Sequence, residues 1–270
     1  MARFAVVQVT ATDDRSANLR TTSDLVRRAA GEGAEVICLP EMWPFVGSDA
    51  EKLAGAESLD GPSMTAMREL ALELGVWMLP GSFAEISEVP DRVYNTAPVY
   101  DPSGALVGVY RKLHLFDVDI PGGAVFQESD TVTPGDRAVV VDTPIGRLGL
   151  TVCYDLRFPA LYEALREGGA EIVLVPAAFT AHTGQAHWEV LLRARAIEQQ
   201  VWVVAPNQGG RHNAKRESYG HSMIVDPWGG VAARVPEGPG IALGDVDPAR
   251  VHRLRRELPC GSHKRPFQGP

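Results

Sequence analysis

Residues 148–159 read LGLTVCYDLRFP. The first five are apolar and β-prone, as expected of a strand that is covered on both faces. Pro159 suits the first turn of a helix, and the residues that follow it are good helix formers. Cys153 is therefore predicted to lie at a strand-to-helix junction, where ligands of open α/β sheets bind. A nearby helix N-terminus is also expected to favour the thiolate of this cysteine over the thiol.

This stretch alone leaves two interpretations of Cys153 open. A lone cysteine after a strand is more often a small buried hydrophobic residue than a nucleophile. The choice between the two depends on which residues other parts of the chain bring to the same edge.

The composition excludes several classes of function. The chain has 270 residues, of which 45% are hydrophobic, which is enough for one large α/β domain. Its net charge of -8 argues against nucleic acid and anionic membranes as partners. Three widely spaced cysteines without a CxxC motif argue against a disulfide framework or a structural zinc. With no phosphate loop and no strand-linked GxGxxG either, we expect neither a cofactor nor a metal.

The first residues, MARFAVVQ, lead straight into a strand. They contain no long apolar segment of the kind that targets a protein for secretion, and no apolar run in the sequence reaches a spanning length. We therefore expect a cytoplasmic, reducing location.

The order of predicted elements indicates two similar halves. Each half has strands alternating with helices, followed by a β-hairpin around an Asp-Pro-x-Gly turn, at residues 101–104 and 226–229. Two mixed sheets with helices on one face each can press their open faces together. The predicted fold is α/β, a four-layer α-β-β-α sandwich, with residues 1–270 as a single domain and residues 259–270 as a C-terminal arm.

Chemically active side chains follow the predicted strands. Glu41 follows the strand at residues 35–40, Lys112 follows the first hairpin, and Cys153 follows the strand at 147–152. Residues 177–183 follow a fourth strand. Each of these signals is weak alone, because a glutamate or lysine in a loop is usually solvated. If the strand ends share one edge, however, a base, a cation and a nucleophile meet in one pocket.

Three segments resemble the signature segments of the nitrilase superfamily of carbon–nitrogen hydrolases. They are LPE at 39–41, YRKLHLF at 110–116 and CYDLRFP at 153–159. The resemblance implies a Glu41-Lys112-Cys153 triad, a supporting Glu128 beside the lysine, the α-β-β-α fold and a homodimer or larger homo-oligomer.

The chemistry of the triad follows from its residue types. A thiol is mostly protonated at neutral pH, so a carboxylate such as Glu41 is needed as general base. The developing oxyanion needs fixed donors, for which the Lys112 ammonium and the backbone N–H of Tyr154 are the candidates. The predicted reaction is hydrolysis of a small-molecule amide to an acid and ammonia through a thioester.

Two downstream segments resemble the Nit branch of the superfamily. Residues 184–198 and 210–223 are most similar to the Nit1 type, amidases that act on deaminated glutathione. Residues 116–122 instead resemble the Nit2 type, ω-amidases that act on α-ketoglutaramate. An N-carbamoyl amino acid hydrolase, a nitrilase and a non-catalytic scaffold of the same fold remain alternatives.

Four residues are expected to bind substrate: Arg157, Phe179, Thr183 and Arg211. The planar guanidinium of Arg157 suits a carboxylate, with a structural ion pair as the alternative. Arg211 and Arg216 belong to a basic loop that suits the distal glycine carboxylate of deaminated glutathione, with a solvated charge run as the alternative.

Overall fold

The computed structural model describes residues 1–119 and 125–269. The elements up to residue 127 are β1 (Ala2–Gln8), α1 (Arg15–Gly31), β2 (Val36–Cys38), α2 (Asp49–Ala54), α3 (Pro62–Leu74), β3 (Trp77–Leu79), β4 (Phe83–Ile86), β5 (Val93–Tyr100), β6 (Leu106–Arg111), β7 (Asp117–Asp119) and β8 (Val125–Gln127). The later elements are β9 (Val139–Thr143), β10 (Gly146–Leu150), α4 (Pro159–Glu167), β11 (Ile172–Leu174), α5 (Ala181–Gln199), β12 (Trp202–Ala205), β13 (Gly209–Arg211), β14 (Glu217–Tyr219), β15 (Met223–Val225), β16 (Val231–Arg234), β17 (Gly240–Val246), α6 (Pro248–Glu257) and α7 (Cys260–His263). Two 3-10 turns occupy Glu128–Asp130 and Cys153–Arg157.

Two mixed sheets form the centre of the molecule. The first has the order β17-β1-β2-β3-β5-β4, with β6 also paired to β5, and the second has the order β16-β15-β12-β11-β10-β9. Strands β1, β2 and β3 run parallel, as do β10, β11 and β12. Within each sheet the carboxyl ends of the parallel strands therefore lie at one edge, and the loops that follow them can share a site.

Alternation along β1 shows how the layers pack. Phe4 and Val6 lie in one buried cluster with Leu148 of β10, so they face the second sheet. Ala5 and Val7 lie in a different cluster with residues of α1 and α3, so they face the helices. The two faces of one strand thus enter two cores, as the period of two in a strand requires. This confirms the predicted α-β-β-α sandwich.

The last strand, β17, belongs to the first sheet, so the two sheets do not correspond to two separate halves of the sequence. It pairs antiparallel with β1 over its whole length, from Ala2 opposite Val246 to Gln8 opposite Gly240. The first sheet therefore contains a strand from the end of the chain. Most residues of β17 are only half-buried, so its sequence lacks the continuous apolar run that predicts a covered strand.

The segment expected to form an arm lies partly along its own chain. Residues Cys260–His263 form the short helix α7, and Lys264 Nζ lies 2.5 Å from Glu163 Oε1 and 3.3 Å from Glu167 Oε1. Both glutamates belong to α4. Beyond this contact Phe267 is almost fully exposed.

Among the described residues, no helix combines the length and the apolar character needed to span a bilayer.

Candidate active site

Glu41 is held at the end of β2 by contacts to its backbone and by a close approach of Gly81. Gly81 has a φ of 64°, and a Cβ at that position would lie 1.9 Å from the carbonyl oxygen of Pro40. Only glycine fits there. The carbonyl oxygen of Glu41 accepts a hydrogen bond of 3.1 Å from Gln208 Nε2. The residue is 4% exposed.

Lys112 lies between two carboxylates. Its Nζ is 3.1 Å from Glu41 Oε1, and 3.0 Å and 2.8 Å from Glu128 Oε1 and Oε2. Glu128 Oε2 also accepts a hydrogen bond of 2.7 Å from the backbone N–H of Phe116. Lys112 is 1% exposed, so these ion pairs form with little competition from water. All three hydrogens of the ammonium have carboxylate partners in this arrangement.

Cys153 lies at the first position of the 3-10 turn and not directly at the N-terminus of α4, which begins at Pro159. Its φ of 48° lies in the left-handed region, which is strained for a residue with a side chain and is typical of functional sites. The backbone N–H donates to the carbonyl oxygen of Pro176 over 2.9 Å. Cys153 lines one cavity with Glu41 and Lys112, and the charges of both affect the pKa of its thiol. The structure thus brings Glu41, Lys112 and Cys153 together.

The charges of the three groups follow from burial and from one another. Burial raises the pKa of the Glu41 carboxyl, but the Lys112 ammonium and hydrogen bonds from Cys153 and Lys112 hold it below its ordinary value. Burial lowers the pKa of Lys112, and the charges of Glu128 and Glu41 more than reverse this, so the net shift is upward. The resting state therefore contains a carboxylate beside an ammonium.

The thiol of Cys153 is protonated in that state. Burial first, and then the charge of Glu41, raise its pKa well above the ordinary value, against smaller opposite effects of Lys112 and the N–H of Ala178. The expectation that a helix N-terminus favours the thiolate is therefore wrong. Removal of the sulfur from water and the nearby Glu41 carboxylate favour the neutral thiol.

Two contacts to Glu41 were missed in the sequence. Asn95 Nδ2 donates to Glu41 Oε1 over 2.9 Å and to Glu128 Oε1 over 3.3 Å, so it joins the two carboxylates. The backbone N–H of Ala178 donates to Glu41 Oε2 over 2.8 Å. Asn95 lies in β5, every residue of which is buried, and a polar amide within a mostly apolar predicted strand is the one sequence feature that could have drawn attention to it.

A cavity of about 130 Å³ opens beside the sulfur. Its walls include the triad, Asn95, Glu128, the aromatic residues Tyr94, Phe116, Phe126, Tyr154 and Phe179, and the polar residues Asp49, Lys52, Gln127, Thr180, Thr183 and Arg216. An apolar wall with a few polar groups is typical of a site for a small molecule. Two of the residues expected to bind substrate, Phe179 and Thr183, thus line the cavity.

The other two residues expected to bind substrate, Arg157 and Arg211, do not line the cavity. The guanidinium of Arg157 lies over the ring of Phe179 at 5.1 Å and contacts His187 Nδ1 at 3.3 Å. It therefore packs behind the cavity wall. Arg211 is exposed and paired with Glu217 at 3.0 Å. Arg216, in the same basic loop, lines the cavity instead.

The described residues contain no group of three or more histidine, cysteine, aspartate or glutamate side chains arranged to hold a metal.

Comparison with known proteins gives the family. A family model described as carbon-nitrogen hydrolase matches residues 3–256. The chain belongs to the carbon-nitrogen hydrolase family. A curated relative, the deaminated glutathione amidase of Homo sapiens, is 49% identical over 267 residues, covering 97% of this chain and 82% of the relative.

Two solved structures extend the comparison. The NitFhit protein of C. elegans superposes with a TM-score of 0.91 at 42% identity, over 98% of this chain, which spans 65% of that longer protein. A glutamate-to-glutamine mutant of an amidase from Nesterenkonia sp. AN1, described with acrylamide added at the active-site cysteine, has a TM-score of 0.80 at 26% identity, over 97% of this chain and 100% of that one. These relatives confirm that this carbon-nitrogen hydrolase belongs to the Nit branch of the nitrilase superfamily.

The resemblance to the Nit2 type rests on residues 116–122 of this hydrolase, which the structure describes only in part. Residues 120–122, at the end of the stretch 116–122, lie outside the described residues. The first part of the stretch is described: Phe116 lines the cavity, and Asp117–Asp119 forms β7.

Proposed function

We propose that this carbon-nitrogen hydrolase cleaves the amide of a small α-keto acid, with deaminated glutathione as the substrate class. The observation that carries the proposal is that the buried residue Cys153 lines one cavity together with Glu41 and Lys112, whose Nζ lies 3.1 Å from Glu41 Oε1. The similarity to curated deaminated glutathione amidases over nearly the whole chain supports the substrate class.

The first half of the reaction forms a thioester. Glu41 takes the proton of Cys153 while the sulfur attacks the amide carbonyl carbon. The tetrahedral intermediate then collapses, the C–N bond breaks, and the proton held by Glu41 passes to the leaving nitrogen. Because Glu41 keeps a low pKa beside Lys112, it is ionised and ready to accept a proton at neutral pH.

The second half hydrolyses the thioester. Glu41 takes a proton from water, the hydroxide attacks the thioester carbonyl, and the C–S bond breaks. The thiolate recovers its proton from Glu41, and the carboxylic acid product leaves. The sum is one amide and one water converted to one acid and one amine.

The nature of the leaving group depends on the substrate. A primary amide such as α-ketoglutaramate releases ammonia, as the sequence analysis expected. Deaminated glutathione contains secondary amides only, so its hydrolysis releases an amine that retains the glycine carboxylate. The expectation of ammonia therefore applies to the alternative substrate and not to deaminated glutathione.

Stabilisation of the oxyanion is assigned to Tyr154 and Lys112. The backbone N–H of Tyr154 lies in the first turn of the 3-10 segment, where N–H groups have no intrahelical acceptor. Lys112 contributes by exchanging one of its bonds to Glu41 or Glu128 for a bond to the oxyanion. Phe116 and Asn95 continue to satisfy the carboxylates during this exchange.

Arg216 is the proposed partner of the distal carboxylate of deaminated glutathione, in place of Arg211. It lines the cavity, and its charge contributes to lowering the pKa of Glu41. Within residues 1–119 and 125–269 its side chain makes no ion pair. A guanidinium with free donors is suited to a carboxylate.

The substrate proposal is tested by following product release from deaminated glutathione, α-ketoglutaramate, an N-carbamoyl amino acid and a simple nitrile in parallel. Amine release is measured for the first substrate and ammonia for the others. We expect deaminated glutathione to have the highest kcat/KM. A higher value for α-ketoglutaramate would replace the proposal with an ω-amidase.

The matched variants Arg216→Gln and Arg211→Gln test the carboxylate contact. We expect Arg216→Gln to raise KM for deaminated glutathione about tenfold and to leave KM for α-ketoglutaramate, which lacks the distal carboxylate, within about twofold. Arg211→Gln serves as the control and is expected to change neither value. Equal effects of Arg216→Gln on both substrates would refute this role.

We also propose that residues 1–270 form a single domain with residues 259–270 as its C-terminal arm, that the protein is a homodimer, and that it is cytoplasmic. The pairing of β17 with β1 supports the single domain, because it joins the two ends of the chain in one sheet. The family resemblance supports the homodimer.

The free thiols of Cys38, Cys153 and Cys260 support a reducing compartment. Light scattering after gel filtration tests the dimer, for which we expect twice the chain mass of 29.1 kDa.

A further inference from the structure

The carboxylate of Asp155 lies between the two segments that carry Lys112 and Cys153. Asp155 is fully buried and comes two residues after Cys153. Its side-chain partners, Tyr110 and His114, come two residues before and two residues after Lys112. One side chain thus connects both sides of the lysine to the loop of the cysteine.

Four donors converge on this carboxylate. Tyr110 Oη donates to Oδ2 over 2.6 Å, and the backbone N–H of Val152 donates to the same oxygen over 2.9 Å. The backbone N–H of His114 donates to Oδ1 over 3.1 Å, and its ring Nδ1 lies 2.7 Å from that oxygen. An ionised carboxylate only accepts, so the ring nitrogen is the donor. With four donors the buried charge is fully satisfied.

The distance between the Lys112 ammonium and the Cys153 sulfur is fixed only by non-covalent contacts, because the two residues follow strands of different sheets. Lys112 follows β6 of the first sheet, whereas Cys153 follows β10 of the second. Cys153 also has a strained backbone conformation, and such a conformation persists only where its surroundings hold it. Asp155 contributes to holding it there: Oδ2 accepts from the N–H of Val152, directly before the cysteine, and the two oxygens together accept from Tyr110 and His114 of the lysine segment.

We propose that Asp155 is a positioning residue for the hydrolysis, whose carboxylate fixes the Lys112 ammonium relative to the Cys153 sulfur. It is not part of the cavity wall, so it acts through these two residues and not on the substrate. The inference rests on the proposed roles of Cys153 and Lys112. A misplacement of about 1 Å between reacting groups can reduce the rate about 100-fold.

Two buried tyrosines offer a matched test. Tyr110 and Tyr162 are both fully buried, and a Phe replacement removes one hydroxyl from each. The hydroxyl of Tyr110 binds Asp155, whereas that of Tyr162 lies 3.3 Å from Thr151 Oγ1. We expect Tyr110→Phe to lower kcat about tenfold with KM unchanged, and Tyr162→Phe to keep kcat within about twofold.

The kcat values are divided by the number of Cys153 thiols that iodoacetamide alkylates, counted by mass spectrometry. A merely structural role reduces the number of reactive thiols or the Tm, but leaves kcat per reactive thiol unchanged. A positioning role lowers kcat per reactive thiol. Equal values of this quantity for Tyr110→Phe and Tyr162→Phe would overturn the inference.

Asp155→Asn gives a larger effect. An amide can accept on one side only, so whichever way it is oriented, one pair of donors loses its acceptor. We expect kcat per reactive thiol to fall about 100-fold. Should this variant not fold, the tyrosine pair decides. An inactive Cys153→Ala together with equal tyrosine variants refutes the positioning role alone, whereas an active Cys153→Ala refutes the proposed function itself.

Discussion

The molecule contains two buried cysteines at comparable places in its two sheets. Cys38 ends the parallel strand β2 and is 1% exposed, and Cys153 follows the parallel strand β10 and is 8% exposed. Burial raises the pKa of both thiols. By sequence position and burial alone, either could be the nucleophile or a core residue.

Their neighbours differ. Both cysteines belong to the apolar cluster between the sheets, but for Cys38 burial is the one cause of the raised pKa. Cys153 additionally faces the charge of Glu41, the opposite charge of Lys112 and the N–H of Ala178. The two cysteines therefore differ in the charged groups beside them, and this difference supports the proposal that Cys153 is the nucleophile.

The largest expected effect is the difference in kcat/KM between Cys153→Ala and Cys38→Ala. Cys153→Ala should lower kcat/KM by a factor of about 10⁴ or more, because the nucleophile is lost, while the fold persists. Cys38→Ala should keep kcat/KM within about twofold and reduce the free energy of unfolding by about 1 kcal/mol through lost packing. Steady-state kinetics and urea unfolding measure both. Activity of Cys153→Ala near that of the wild type would contradict the comparison.

Replacing the base should change the rate and the thiol together. Glu41→Gln is expected to lower kcat about 1,000-fold because proton transfer is lost. It should also lower the pKa of Cys153, since the negative charge that raises it is gone while Lys112 remains. The pH dependence of alkylation by iodoacetamide measures this pKa, with Cys38, sealed in the core, as an internal control. An unchanged alkylation profile would show that Glu41 does not act on the sulfur.

The amide that joins the two carboxylates should matter less. Asn95→Ala removes hydrogen bonds to Glu41 and Glu128 without removing a charge, so we expect kcat to fall about tenfold. Asn18→Ala is the control, because Asn18 is another buried asparagine whose contacts, to Thr12 and Pro44, lie outside the site. If both variants had the same kcat, Asn95 would have only a structural role.

The last prediction concerns stability and not rate, for a group whose pKa is shifted mainly by burial, as that of Cys38 is. Burial lowers the pKa of His212 to about 4 from its ordinary 6.5. The unfolded chain then binds the proton more readily, so stability should decrease as the pH falls from about 6.5 to about 4, by up to about 3 kcal/mol. Urea unfolding across this range should show a smaller decrease for His212→Asn. The same decrease in both proteins would assign it to other groups.

The layers of the fold and the family could be predicted from sequence because their signals are local. The apolar strands, the two Asp-Pro-x-Gly turns and the segments around Glu41, Lys112 and Cys153 are each contained within a dozen residues. The pairing of β17 with β1 could not be predicted, since it joins the two ends of the chain through a half-buried strand.

The limits of the site prediction have the same origin. Asn95 reaches Glu41 across 54 positions and Ala178 reaches it across 137, and no local pattern encodes such contacts. Arg211 and Arg216 belong to one basic run, and only the turn between β13 and β14 decides that the second one lines the cavity. The protonation of Cys153 depends on burial and on the charge of Glu41. The prediction from sequence considered only the nearby helix N-terminus, so it took neither effect into account.

The most direct test of the central claim is the mass of the protein itself during turnover. The enzyme is mixed with deaminated glutathione, quenched in acid within milliseconds and digested. We predict an acyl group of the α-keto acid on the peptide that contains Cys153, and none on the peptides that contain Cys38 or Cys260. Product formation at the wild-type rate with Cys153 unmodified, or with the acyl group on another residue, would contradict the account.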